Sequence, residues 1–197
     1  EYVLAHIHSP AYDLGPDIVT MMRLFCNVVN DDLNSYAYDA SIAGLSFGLE
    51  YSDQLTLSVG GFSDKLHGLL KVLVDRFCEV LSYAESAESL QGKERERVDE
   101  LMERLEARRD ILLMDYMNLT REEPWSVSNY YATQIMMQKC WHLDEYVEVL
   151  QRPLSLSILA ASVRSALKEV QTEVLVHGNA SVDDAQDVAG TIRDFLV

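Results

Sequence analysis

The chain has 197 residues, with 16 Lys+Arg against 32 Asp+Glu for a formal net charge of −16, and 48 % of its residues are hydrophobic. That apolar content excludes a disordered tail, and a count of only 9 Gly and 4 Pro excludes a collagen-like or low-complexity chain. The acidic balance excludes general nucleic-acid binding and an anionic membrane surface as partners, because both need clustered Lys and Arg.

A chain of this length buries roughly 70 % of its unfolded surface and reads as a single domain over residues 1–197. No apolar run approaches the ~20 residues that span a bilayer, so no membrane partner is expected. There is no secretory signal pattern. The chain starts at Glu1, without Met and inside an apparent strand, which reads as a piece cut from a longer protein. Cys26, Cys78 and Cys140 form no CxxC pair and no zinc-knuckle spacing. Cys26 and Cys78 lie in apolar helical runs and are expected as buried, reduced thiols, which favours a reducing, cytoplasmic setting.

In chain order, Tyr2 to His8 alternates as a short strand that Ser9-Pro10 ends. Gly15-Pro16 then punctuates the start of a helix over Asp17 to Leu33, with Ile18, Met21, Met22, Phe25, Val28 and Val29 at helical spacing. A second helix runs from about Asn34 to Ala43 and ends at Gly44. Leu45–Leu49 and Leu55–Val59 alternate around a turn-like Glu50 to Asp53 and predict a β-hairpin. Gly60-Gly61 ends it, and Ser63 is set to cap a helix from Asp64 to about Tyr83.

Ser82 to Arg97 is rich in Ser, Ala, Glu and Gln, and residues 82–97 are expected to form an exposed insertion or mobile loop. From Val98 a long helix presents Leu101, Met102, Leu105, Leu112, Tyr116 and Leu119 on one face. Glu and Arg alternate on the other face as a solvated lacework of ion pairs. Thr120 to Glu123 resembles a capping box. Helices are expected from Pro124 to Gln138, Leu143 to Leu150 and Ser155 to Val170, then a strand from Thr172 to His177 closed by Gly178-Asn179. A last helix opens at Ser181 with Asp183 and Asp184. The fold class is therefore α+β, an antiparallel-rich sheet packed against helices.

Candidate chemistry is sparse. His6 and His8 share one face of a strand, as two zinc ligands would, yet no third ligand is identifiable and a hydrogen-bonded or solvent-facing pair is the simpler reading. His142-Leu-Asp-Glu145-Tyr146 misses the zinc-peptidase pattern H-x-x-E-H because Tyr stands where the second His belongs, and its acids suit a helix start instead. Gly60-Gly61-Phe62-Ser63 lacks the Lys and spacing of a phosphate loop. There is no G-x-S-x-G elbow. No catalytic residue and no metal ligand is assigned, and substrate-binding residues stay unknown.

Three runs nevertheless carry a resemblance. NSYAYDASIAGLSF, from Asn34 to Phe47, resembles the LNEYAY-x-A-x-x-AGL-x-[YF] stretch of the insulinase/pitrilysin zinc metallopeptidases. LSVGGFSDKL, Leu57 to Leu66, resembles that family's L-x-V-x-G-[YF]-[NS]-[DE]-K turn, and VLVHGN, Val174 to Asn179, its HGN strand end. Ser9-Pro10 fits the segment after the first strand. The runs fall in family order and cover nearly the whole chain. The likeness is to the third of four related domains, the first of the C-terminal half.

The resemblance implies a parent chain whose two halves close around a peptide. H-x-x-E-H and a downstream Glu of the first domain would hold zinc there, and zinc would activate water. H-x-x-E-H is absent from residues 1–197, so no cofactor is expected in this segment. The implied role is a non-catalytic wall of the peptide chamber, partnered by the catalytic N-terminal half of the same chain and by peptide substrates. The alternatives are a domain of an inactive family member acting in assembly or binding, an unrelated helical interaction domain, and a self-contained hydrolase using His6, His8 or His142.

Overall fold

The computed structural model describes residues 1–197 except 11, 12, 14, 120, 138, 139 and 197, and the backbone alone of 35, 63 and 64. Its elements in order are β1 (Tyr2–His8), α1 (Pro16–Asp32), α2 (Asn34–Ile42), β2 (Ser46–Tyr51), β3 (Leu55–Gly60) and α3 (Ser63–Ser86). They continue with α4 (Lys93–Leu119), α5 (Pro124–Met136), α6 (Leu143–Gln151), α7 (Leu156–Leu167), β4 (Gln171–His177) and α8 (Val182–Leu196).

The four strands form one sheet in the order β2-β3-β1-β4, with every neighbouring pair antiparallel. Alternation sorts their side chains. Val3, Ala5, Ile7, Leu49, Tyr51, Leu55, Leu57 and Val59 are buried on one face, where α1 packs on β2 and α3 on β2 and β3. α8 touches β4, and α4, α6 and α7 pack on α1 as a further helical layer. The α+β architecture with an antiparallel sheet against helices is the one the periodicities predict.

The first helix is built as its sequence dictates. Gly15, at φ 150, occupies the N-cap, and Pro16 opens the helix where a missing N–H costs nothing. Its apolar residues are buried nearly all round, from Val19 to Val29, so it forms the centre of the core. Phe77 on α3 meets Phe25 on α1 and Phe195 on α8 with ring centroids 4.7 and 4.8 Å apart, both edge to face.

Three expectations are corrected. Residues 82–97 are mostly helix: α3 continues to Ser86, α4 begins at Lys93, and only 87–92 connect them. The polar composition of the stretch reflects its exposed side, while Ala84 and Ala87 are small residues buried against the core. Helix α3 has Phe62 at its N-cap and Ser63 as its first residue, and the side chain of Ser63 lies outside the described ones. Cys78 is exposed; only Cys26 is buried, and Cys140 is intermediate. The capping box proposed at Thr120 starts on a residue outside those described.

Candidate functional site

The described helices cover one face of the sheet, and the side chains of the opposite face are partly or fully exposed. Register places small and polar residues at its centre: Gly48 opposite Ser58, Ser46 opposite Gly60, and Glu50 opposite Thr56. On β1, Leu4 lies between Ser58 and Leu175, and His6 between Thr56 and Glu173. The centre is tightly closed. A Cβ on Gly48 would come within 2.8 Å of Ser58 Oγ, and one on Gly60 within 2.9 Å of Ser46 Oγ. The strand pairs of this face carry Glu50 and Glu173 but no Lys or Arg.

His6 and His8 do share this face, with ring centroids 6.3 Å apart. Gln54 Nε2 donates to His6 Nδ1 at 2.6 Å, and Thr56 Oγ1 lies 3.2 Å from the same nitrogen. His6 is therefore a hydrogen-bonded side chain. His8 Nε2 stands 3.8 Å from Glu173 Oε2. Zinc needs ligands at about 2.0–2.2 Å from one point. Among the described residues no group of three or more His, Cys, Asp or Glu side chains meets that requirement, so these residues do not fit a zinc ion.

His142 has another task. Its Nδ1 accepts from Asp144 N at 3.3 Å, and its own N–H donates to Glu145 Oε2 at 2.6 Å. The H-x-x-E near miss is thus a reciprocal cap of α6. Gly60-Gly61-Phe62 is a strand-to-helix turn. Gly61 sits at φ +143, where a Cβ would come within 2.5 Å of the Leu45 side chain. Gly178 plays the same part after β4, at φ +137 against Glu1.

A cavity of about 520 Å³ opens among α4, α5 and α6, walled by Tyr116, Tyr130, Trp141, Tyr146, Leu119 and Leu143. Arg23 reaches it from α1. Its Nη1 donates to Tyr116 Oη at 2.8 Å, and its guanidinium carbon stands 4.8 Å from the Tyr146 ring centroid. Exposed Asp53, Asp115 and Glu122 also line the opening. Burial pushes the Tyr130 hydroxyl above its usual range, and that oxygen accepts from Leu143 N at 2.9 Å. Aromatic walls with carboxylates at the opening suit a basic or aromatic side chain. Sequence reading missed this cavity, although a lone Arg within the apolar run of α1 was a signal for it.

Two ion-paired acids brace the scaffold. Asp32, with 3 % of its side chain exposed, takes Arg97 at 2.6 Å and Arg76 at 3.0 Å. Asp31 takes Arg104 at 2.7 Å and also Arg108. Burial works to raise the Asp31 carboxyl, but hydrogen bonds from Arg108 and Arg104 outweigh it and hold the group below its ordinary range. Burial raises the Cys26 thiol far above its usual value, and partial desolvation raises the exposed Cys78 thiol, so neither is an activated nucleophile.

With this geometry in hand, comparison with known proteins is specific. Residues 1–149 match the family described as the middle or third domain of peptidase M16. Insulin-degrading enzyme of Homo sapiens is 28 % identical over 190 residues, covering 96 % of this chain and 17 % of the enzyme. A nardilysin-like protein of Arabidopsis thaliana is 32 % identical over 178 residues, 89 % of this chain and 15 % of that protein. The crystal structure of pitrilysin superposes with a TM-score of 0.77 at 16 % identity, covering 99 % of this chain and 19 % of that one, and supports the fold. The chain thus spans under a fifth of the length of these relatives. It belongs to the M16 peptidase family, the insulinase/pitrilysin group, and corresponds to that family's middle or third domain.

Proposed function

We propose that residues 1–197 are a non-catalytic wall domain of a zinc metalloendopeptidase that degrades peptides. The sheet's open face and the Arg23 cavity are turned toward the substrate. The zinc and its H-x-x-E-H ligands belong to the catalytic N-terminal half of the same polypeptide, and this domain is its partner. The observation that carries the reading is the sheet: the described helices cover one face, and the other carries Ser, Gly and Thr at its centre between Glu50 and Glu173. The family match supports it independently.

An acidic wall attracts basic peptides and repels acidic ones over a Debye length of about 8 Å. The test is the double variant Glu50→Gln, Glu173→Gln in the full-length protein, scored by kcat/KM on a basic and an acidic peptide of equal length. The basic-over-acidic preference should fall about 2–5-fold, as two exposed charges allow. An unchanged ratio sinks the electrostatic wall. A full-length protein without H-x-x-E-H and without peptidase activity makes this instead a domain of an inactive relative, acting in assembly or binding.

A further inference from the structure

Helix α5 is weakly tied to the rest of the domain. It buries none of its residues. Two side-chain hydrogen bonds hold it to the segment that enters α6: Leu143 N donates to Tyr130 Oη at 2.9 Å, and Gln134 Nε2 donates to Trp141 O at 3.3 Å. A helix held by polar ties rather than by packing leaves space behind it, and that space is the cavity of about 520 Å³. Small-ligand sites run to about 300–1,000 Å³, so the cavity admits a large side chain and part of its neighbours.

Its chemistry falls into two zones. The interior is aromatic. Tyr116 and Tyr146 stand 5.7 Å apart by ring centroid, at 34°, and Tyr130 and Trp141 line the same space. Arg23 enters from α1, anchored by Nε on Tyr51 O at 3.3 Å and by Nη1 on Tyr116 Oη at 2.8 Å. The opening is acidic. Asp53, Asp115 and Glu122 are exposed there, and among the described residues none of the three is paired with a Lys or Arg. Asp53 and Glu122 accept from the hydroxyls of Ser52 and Ser126, neighbours that leave their charge intact.

These two zones select an occupant. A cation inside would meet the Arg23 guanidinium, and an anion would have to pass three carboxylates. A neutral ring meets neither obstacle. It packs edge to face on the tyrosines and offers its π face to Arg23, as Tyr146 already does. The unpaired carboxylates then suit a cationic group beside that ring, outside the cavity.

We propose that the Arg23 cavity is a subsite for an aromatic side chain of the substrate peptide that is followed by Lys or Arg. The ring enters the aromatic interior, and the basic neighbour stays at the opening with Asp53, Asp115 and Glu122. This rests on the reading of the domain as a wall turned toward the peptide, and it adds a residue pair to be recognised where Glu50 and Glu173 sense charge alone.

Equilibrium binding of labelled peptides to the full-length protein, with a chelator present so that no peptide is cut, tests this. The peptides are of equal length and carry Phe-Arg, Ala-Arg, Phe-Gln or Ala-Gln at one internal position. Kd for Phe-Arg should be about 10-fold below that for Ala-Arg and about 2–5-fold below that for Phe-Gln. Thr133, an exposed α5 residue at the cavity, provides the block: Thr133→Trp should bring Phe-Arg and Ala-Arg to one Kd. Asp53→Asn with Asp115→Asn should remove the Arg preference and leave the Phe preference standing. Equal Kd values for all the peptides overturn the proposal. So does a Phe preference that survives Thr133→Trp, which assigns the ring to another surface. A Thr133→Trp protein that unfolds earlier yet keeps every Kd also overturns it, and assigns the cavity to another segment of the polypeptide. Binding is read whether or not peptides are cleaved. If Glu50→Gln, Glu173→Gln shifts the basic-over-acidic ratio while all the peptides bind alike, the subsite alone is lost; if neither responds, the electrostatic wall falls with it.

Discussion

Asp31 shows how one side chain ties distant sequence together. Its carboxylate lies at the end of α1, and the arginines that hold it, Arg104 and Arg108, come from α4. Because the folded carboxyl titrates below its ordinary value, the stabilisation is fully present above that value and is lost as pH falls through the lowered one. Asp31→Asn should therefore destabilise by about 1–3 kcal/mol at neutral pH. The deficit should shrink as pH falls below the ordinary carboxylate range and through the lowered one, read from urea unfolding of both proteins across a pH series. A deficit that persists in acid would mean packing, not charge, is what Asn disturbs. At α6 the local signal gave the helix start through its acids, and the structure adds the His142 cap. The spacing of His142 and Glu145 is that of a capping box, and His142→Ala should lower the unfolding free energy by about 1 kcal/mol, read from urea unfolding. Sequence could place that pair because its partners are three residues apart. It could not place Asp31, whose partners are more than seventy residues away.

Elements were legible where their period was clean. The β2–β3 hairpin alternates strictly, α1 and α3 carry wide apolar stripes, and β1 spans Tyr2–His8 as its alternation predicts. Composition misled at 82–97, since exposed helix and exposed loop draw on the same polar residues and only small buried positions such as Ala84 distinguish them. Helix α4 misled in another way. Its arginines read as partners for its own acids along a solvated face, yet Arg97, Arg104 and Arg108 cross to α1. They anchor the α3–α4 pair, with Arg76 of α3 on the same buried Asp32. The junction of α1, α3 and α8 depends instead on Phe77 between Phe25 and Phe195. Phe77→Ala should cost about 3–5 kcal/mol by urea unfolding, and Phe77→Leu, which keeps most of the volume, under about 1.5 kcal/mol.

At the scale of the molecule, the decisive property is that the sheet has one buried and one open face. A strand's period of two makes neighbours experience opposite environments, and β3 gives the sharpest contrast. Leu57 points into the core at 1 % exposure, opposite Ala5 on β1 and Leu49 on β2. Ser58, the next residue, lies opposite Leu4 and Gly48 on the open face. Leu57→Ala should therefore destabilise by about 2–5 kcal/mol. Ser58→Ala should stay within about 0.5 kcal/mol. The same alternation explains why the candidate surface was nearly silent in the sequence. A catalytic motif announces itself by reactive side chains at fixed spacing, whereas a wall needs only small, polar and neutral residues at alternate positions, and Ser, Gly and Thr in a hairpin look like nothing in particular. Function then shows in kinetics rather than in stability. If the open face touches peptide, Ser58→Trp on the full-length protein should raise KM for peptides several-fold while leaving kcat and the unfolding midpoint nearly unchanged, since a bulky ring there obstructs binding without entering the core. Equal KM values for both proteins would turn the face away from the substrate.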